Sequence, residues 1–292
     1  MKNISTFDTI LVVVNPIAGG QDKTPIVEKI KKISDDRSKF KIYHTTGKKD
    51  KQTIKNLIDD INPERILVVG GDGTIKLVSD VVGNKIIIGI IPAGSSNGLA
   101  TDLDIPENTE KALDIAMGTN IKCIDSLKIN KELGLHISDI GLNAELIKEY
   151  SNSKIRGRFG YALNSIPTLI KSNMPYKFKI KTPDRVWEDE AIMIAFANSQ
   201  KFGTGVNINP NGKLNDGLFE VILFKELDPI DILKTIMGKI ELNSDFVEII
   251  QTKKVSVYSE KPIYLQVDGE TCEKEDTFHV TIQPDFIRLA QI

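Results

Sequence analysis

The sequence is poor in cysteine, histidine and tryptophan. Its 292 residues include two cysteines, three histidines and one tryptophan. Cys123 and Cys272 are too few for a disulfide framework, and neither they nor the scattered histidines have the spacing of metal ligands. These scarcities exclude a disulfide-stabilised secreted scaffold and a cysteine- or histidine-based zinc site.

Long apolar runs and a strong net charge are also absent. Apolar runs such as residues 10–14 and 86–91 are far below the ~18 residues of a membrane-spanning helix. The formal net charge of −2 provides no overall field for binding nucleic acid. Because Asp8 interrupts the N-terminal segment, we do not expect a signal peptide. We therefore expect a cytoplasmic protein with no nucleic-acid partner, which meets a membrane only at its surface.

The first part of the chain alternates short apolar strands with amphipathic helices. This pattern predicts a Rossmann-like α/β domain, whose parallel sheet is covered on both faces and binds ligands at the carboxyl ends of its strands. The predicted strands are residues 10–14, 40–44, 66–69 and 86–91. One helix is predicted to begin with Thr24 as its N-cap. Other helices are predicted over residues 54–61, from the loop at 70–74 to about residue 82, and near residues 110–117.

After about residue 124 the pattern becomes rich in strands. Strands are predicted at residues 177–182, 187–198, 217–225, 254–259, 264–267 and 277–282, with helices near 143–171 and 229–241. Clustered strands after a βα segment indicate a second, mainly antiparallel β-sandwich domain.

Three glycine-containing loops follow strands of the first domain, at residues 15–20, 70–74 and 92–98. Glycine lets backbone N–H groups approach an anion, and the helix that follows adds a favourable dipole. None of the loops is a Walker loop or a dinucleotide fingerprint. A single such loop could use glycine only for turn geometry, but three at successive strand ends favour a phosphate site.

These motifs resemble the catalytic domain of diacylglycerol and sphingosine kinases. The resemblance rests on Gly70-Gly71-Asp72-Gly73-Thr74 between the other two loops, and continues through residues 207–210, 214–218 and 267–270. NAD kinases share the Gly-Gly-Asp-Gly-Thr run but not the later blocks. The third loop is closer to sphingosine kinase-like sequences, and Gly98 stands where many relatives have aspartate.

The resemblance implies an ATP- and Mg²⁺-dependent lipid kinase, in which Asp72 lies near the phosphates and Glu270 is the general base. Asp268 and Asp125 would complete an acidic network, and Asp216 would hold Mg²⁺ with the backbone carbonyls of Lys213 and Leu218. The residues expected around ATP are Asn15, Thr45, Gly70, Gly71, Asp72, Gly73, Thr74, Ser95 and Asn97. The acceptor would be a diacylglycerol, a sphingoid base or a related lipid.

The resemblance also implies that residues 286–292 return to the first domain. The expected domains are then residues 1–125 with 286–292, which bind ATP, and residues 126–285, which bind lipid and metal. The active site would lie in the cleft between them, with Asp72 facing Glu270.

Other interpretations remain open at this point. The chain could be an NAD kinase, or a lipid- or nucleotide-binding protein without catalysis. Asp216-Gly217 could be only a turn, and Asp268-Gly269 only a hairpin connection. The lipid and the oligomeric state are also open, with a homodimer among the alternatives.

Residues 148–185 form a basic segment with nine basic and two acidic side chains. Interleaved apolar residues could give it an amphipathic face that meets anionic headgroups, each basic residue contributing about 1 kcal/mol. The alternative is a solvated basic helix and strand.

Overall fold

The computed structural model describes residues 9–33, 40–95, 97–152, 175–200, 208–225 and 247–291. The chain divides into two compact units, Met1–Asp125 with Pro284–Ile292 and Ser126–Gln283. Each unit has its own hydrophobic core.

The first unit alternates strands and helices, as the sequence pattern predicted. Its elements are β1 (Ile10–Val14), α1 (Thr24–Lys31), β2 (Phe40–His44), α2 (Asp50–Ile61), β3 (Arg65–Gly70), α3 (Asp72–Val82), β4 (Ile87–Pro92), α4 (Gly98–Asp102) and α5 (Thr109–Ala116). The predicted N-cap of α1 is wrong. Thr24 lies within the helix, and its N–H and hydroxyl donate to Asp22 over 2.9 and 2.8 Å.

The sheet of the first unit is parallel, in the order β2-β1-β3-β4. Arg288 and Leu289, near the end of the chain, pair in parallel with Ile87 and Ile88 on the other side of β4. Strands β1 and β3 are buried along their whole length because helices cover both faces. The carboxyl ends of these strands therefore lie at one edge of the sheet.

The second unit is mainly antiparallel. Its elements are β5 (Ile121–Ile129, which begins in the first unit), β6 (Glu132–Gly134), β7 (Ile137–Gly141), α6 (Leu142–Asn152), β8 (Tyr176–Lys181), β9 (Val186–Ala191), β10 (Met193–Ala197), β11 (Phe219–Phe224), β12 (Val247–Thr252), β13 (Lys254–Val267) and β14 (Glu270–Ala290, which ends in the first unit). The order β12-β11-β10-β7-β13-β14 forms one path. Strand β8 pairs with another part of β13, and β9 pairs with β8.

Several predicted boundaries in the second unit are corrected. The single strand predicted at 187–198 is two strands, β9 and β10, separated at Ile192. The Ile192 N–H donates to the Phe224 carbonyl of β11. Residues 254–259 and 264–267 belong to one strand, β13. Strands β5, β6, β7 and β12 were not predicted. The helix at 143–171 is described only as α6, and the predicted helix at 229–241 lies outside the described residues.

Candidate active site

The three glycine loops follow β1, β3 and β4, which are neighbours in the sheet. Backbone hydrogen bonds continue the sheet into the loops, from Asn15 N–H to Val69 and from Ala93 N–H to Gly70, both at 2.9 Å. Thr45 follows the adjacent β2 in the same way, with its N–H 2.8 Å from the Val14 carbonyl. The structure thus brings the predicted nucleotide-binding segments to one edge of the parallel sheet.

The glycines allow the loops to pack against one another. A Cβ atom on Gly94 would lie only 2.4 Å from the Gly71 Cα, although neither glycine has a positive φ. A Cβ atom on Gly19 would lie 2.9 Å from the Ala93 carbonyl oxygen, and Gly19 also has a φ of 59°. Turn geometry alone therefore does not account for Gly71 and Gly94; close backbone contact between the second and third loops does.

Side chains also join and shape the loops. The Asn15 amide donates to the buried Thr74 hydroxyl over 3.2 Å, which links the first loop to the second. Asn97, which is buried and has a φ of 53°, exchanges hydrogen bonds with the backbone of Gly94 at 2.8 and 3.2 Å. Asn97 therefore shapes the third loop, whereas Gly73 and Ser95 are exposed.

Lys23 is a residue of this site that sequence reasoning missed. Its side chain is buried, and the ammonium donates to the Ala18 carbonyl of the first loop over 2.7 Å. Burial lowers the pKa of Lys23. A lysine shortly after a glycine loop was the available signal.

Asp72 ties the second loop to the third. Its two carboxylate oxygens accept the N–H groups of Gly98 and Leu99, at 2.8 and 3.0 Å, at the start of α4. These bonds involve the backbone, so glycine at position 98 supplies them as well as any other residue. Asp72 is also in the first turn of α3, whose N-terminal dipole favours anions.

In the second unit, Asp268 and Gly269 form the turn between β13 and β14. Val267 pairs with Glu270, and the positive φ values of 50° and 89° at the two turn residues match a type I′ hairpin. The hairpin interpretation of this motif is therefore correct as geometry. Glu270 is exposed at the first position of β14, where its carboxylate makes no hydrogen bond or ion pair with the described residues.

Asp268 fastens this turn to the rest of the unit. Its carboxylate accepts the N–H groups of Leu135 and His136 at 2.8 and 2.9 Å, just before β7. Asp125, the other member of the expected acidic network, is buried in the first unit and accepts the N–H of Asp285 at 2.8 Å. Both carboxylates thus bind backbone N–H groups.

Asp139 is a further carboxyl group of the second unit that sequence reasoning missed. It is fully buried in β7, and one of its oxygens accepts the amides of Asn143 and Gln266 at 2.6 and 2.7 Å. Burial raises the pKa of Asp139 from 3.8 to about 7, because hydrogen bonds from these two amides and from the Ala144 N–H offset only part of the desolvation. The available signal in the sequence is an aspartate flanked by two isoleucines, Ile137 and Ile140.

The predicted metal ligands lie at the turn before β11. Asp216 is exposed and accepts the Leu218 N–H at 3.0 Å, and Gly217 has a φ of 71°, so an Asp-Gly turn is present. Among the described residues, no group of three or more histidine, cysteine or acidic side chains could hold a metal ion. One carboxylate with the carbonyls of Lys213 and Leu218 nevertheless fits Mg²⁺ by donor type, since Mg²⁺ binds few protein oxygens and keeps several waters.

Comparison with known proteins gives the family. A model described as the diacylglycerol kinase catalytic domain matches residues 9–129. A second, described as the YegS C-terminal NAD kinase beta sandwich-like domain, matches residues 138–291. The chain belongs to the diacylglycerol kinase family of lipid kinases. The resemblance, the enzyme class and the fold class expected from the sequence are thereby confirmed.

Relatives of this lipid kinase match it over nearly their whole length. A protein of Citrobacter koseri named "Probable lipid kinase YegS-like" is 26% identical over 98% of this chain and 96% of its own. "Probable lipid kinase YegS" of an Escherichia coli strain is 25% identical with the same coverage.

Solved structures share the fold of this lipid kinase. A diacylglycerol kinase from Bacillus anthracis has a TM-score of 0.76 at 20% identity, over 99% of this chain and 98% of its own. An NAD kinase from Archaeoglobus fulgidus, in complex with ATP, has a TM-score of 0.57 at 14% identity, over 97% and 94%.

The basic segment of the lipid kinase is described only in part, because residues 153–174 lie outside the described residues. In β8, Lys177, Lys179 and Lys181 are exposed and alternate with buried apolar residues. Glu190 and Glu188 of β9 lie opposite Lys177 and Lys179, so acidic side chains partly neutralise this face. No helix in the described ranges is long and apolar enough to cross a membrane.

Proposed function

We propose that this lipid kinase transfers the γ-phosphate of ATP to the hydroxyl of a diacylglycerol, a sphingoid base or a related lipid. The packed glycine loops at one edge of the sheet carry this proposal. Phosphoryl transfer depends mainly on positioning and on neutralising charge around the phosphates. Backbone N–H groups suit that task, and close backbone contact leaves no room for a Cβ atom on Gly94.

The nucleotide site would be built from the loop residues. Gly70, Gly71, Gly73 and Ser95 would surround the phosphates with Thr45, while Asn15, Thr74 and Asn97 keep the loops together. Asp72, near the phosphates, would fix the third loop through the N–H groups of α4. In this arrangement Asp72 contributes by positioning as well as by charge.

Glu270 would be the general base. Its exposed carboxylate lies at the end of a tight hairpin that Asp268 fastens in place. The lipid hydroxyl oxygen would form a bond to the γ-phosphorus, the bond from that phosphorus to the bridging oxygen would break, and ADP would leave. The hydroxyl proton would pass to Glu270.

Mg²⁺ would be held in the second unit by the Asp216 carboxylate and the carbonyls of Lys213 and Leu218. When bound, Mg²⁺ neutralises negative charge near the phosphates. The exposed position of Asp216 suits a cation that retains water ligands.

The test is transfer of radiolabelled γ-phosphate from ATP with Mg²⁺ to a panel of lipids in mixed micelles. Glu270→Gln should lower kcat by about 100-fold or more, because it removes the proton acceptor without changing the shape of the side chain. Glu273→Gln, which changes an exposed carboxylate on the same strand, is the matched control and should retain activity. A near-normal rate in Glu270→Gln would refute the base.

Two other outcomes would favour a function other than lipid phosphorylation. A labelled nucleotide product with NAD, and no labelled lipid, would favour a soluble acceptor. Tight ATP binding without transfer to any acceptor would favour a non-catalytic binding protein.

A further inference from the structure

A buried hydrogen-bond relay leads to the hairpin that carries Glu270. The Gly269 N–H donates to the Gln266 side-chain oxygen over 2.6 Å, and the Gln266 amide nitrogen donates to Asp139 Oδ2 over 2.7 Å. Gln266 and Asp139 are 2% and 0% exposed and lie opposite each other on β13 and β7. The relay therefore connects the second turn residue to the interior of the unit.

The relay has a defined direction. A side-chain amide has a donor end and an acceptor end, whereas Asp139 Oδ2 already accepts the Asn143 amide at 2.6 Å. Gln266 must therefore turn its nitrogen towards Asp139, which leaves its oxygen for the Gly269 N–H. The carboxyl group in the interior thus determines how the turn is held.

The relay also has a cost. Asp139 Oδ1 makes no hydrogen bond of normal geometry with the described residues, although the Ala144 N–H also interacts with this carboxylate. Burying an imperfectly paired polar group is unfavourable, and an apolar pair of similar volume at these two positions would avoid that cost. A purely structural strand pair would not need this arrangement.

We propose that Gln266 and Asp139 are positioning residues for phosphoryl transfer. They hold the Asp268-Gly269 turn and thereby fix the direction in which the Glu270 side chain points from the start of β14. This inference rests on the proposed function, in which Glu270 accepts the proton of the lipid hydroxyl. The Asp268 carboxylate also holds this turn, by accepting the N–H groups of Leu135 and His136. Gln266 holds the same turn through the Gly269 N–H.

The test compares Gln266→Met with Asn143→Leu in the full-length kinase. Both variants remove one donor to Asp139 Oδ2, but only Gln266→Met releases the Gly269 N–H. We expect kcat to fall by about 10- to 100-fold in Gln266→Met, with an unchanged KM for ATP, because a small displacement of a catalytic group is costly. Asn143→Leu should keep kcat within about twofold. Amide hydrogen exchange at Gly269 should accelerate only in Gln266→Met.

A second pair of variants covers the case in which Gln266→Met does not fold. Gln266→Glu places an acceptor against the Asp139 carboxyl and should lower kcat. Adding Asp139→Asn to it exchanges the amide and the carboxyl. When Asn143 turns its side-chain oxygen towards the new amide, donors and acceptors match again, and kcat should recover by about fivefold or more. Absence of recovery would overturn the inference.

The remaining outcomes separate the inference from the proposed function. Normal kcat and normal Gly269 exchange in Gln266→Met would overturn the positioning role. Faster exchange with normal kcat would show that the relay holds the turn without serving catalysis, which also overturns it. If the wild-type protein phosphorylates no lipid, the proposed function fails, and the exchange comparison alone decides whether the relay holds the turn.

Discussion

Replacing Asp139 with asparagine should remove a pH dependence from the stability of the protein. Asp139 is fully buried, and its pKa is raised from 3.8 to about 7. The folded chain therefore keeps a proton on this group at pH values where the unfolded chain has lost it. Because Oδ2 accepts two amides, we expect the proton on Oδ1.

The sign and size of the effect follow from linkage. A raised carboxyl pKa contributes stability that is fully present below the unfolded pKa and is lost as pH rises through the folded pKa. A difference of about three pKa units corresponds to about 4 kcal/mol of free energy of unfolding. Wild-type protein should therefore lose up to about this much between about pH 4 and pH 7, and the Asn variant should not.

The assay is chemical denaturation of wild-type protein and Asp139→Asn, followed by circular dichroism, from about pH 5 to about pH 8. Other titrating groups contribute equally to both proteins, so the difference between them isolates Asp139. We expect the stability of the variant relative to wild type to rise by about 2–3 kcal/mol from about pH 5 to about pH 8. A difference that stays constant across this range would refute the conclusion that burial keeps the carboxyl protonated.

Two further predictions concern the loops and the membrane. Gly94→Ala should abolish measurable ATP binding in calorimetry, because its Cβ would meet the backbone of the second loop at 2.4 Å. Gly20→Ala is the control and should still bind ATP despite its strained φ, because its Cβ would meet nothing within 4 Å. Equal ATP binding by both variants would contradict the packing argument. Replacing Arg156 and Arg158 with Glu should weaken binding to anionic vesicles in sedimentation assays, and added salt should weaken wild-type binding, because each basic residue contributes about 1 kcal/mol. Lys179→Glu is the matched control and should have less effect, since that lysine faces a carboxylate on β9; insensitivity of wild-type binding to salt would contradict the membrane hypothesis.

The fold of the first unit could be predicted because its signals are local. Apolar runs such as Ile10–Val14 mark buried parallel strands, and glycine loops mark their carboxyl ends. What the sequence could not show is that Gly71 and Gly94 touch, because that contact depends on which strands are neighbours.

The second unit was harder to predict for a physical reason. Strand β7 carries a buried aspartate and ends in Gly141, which has a φ of 95°, so its composition does not resemble that of an ordinary strand. The relay through Gln266 depends on cross-strand pairing of residues 127 positions apart. Sequence spacing contains no information on such a pair.

The late position of the last parallel strand has a consequence for synthesis of the protein. Strand β4 pairs with β3 on one side and with Arg288 and Leu289 on the other. During translation, the edge of β4 therefore stays without this partner until residues 288 and 289 have been made. An exposed edge strand invites pairing with other chains. The first unit, although it comes first in sequence, can complete its sheet only after the second unit has been synthesised.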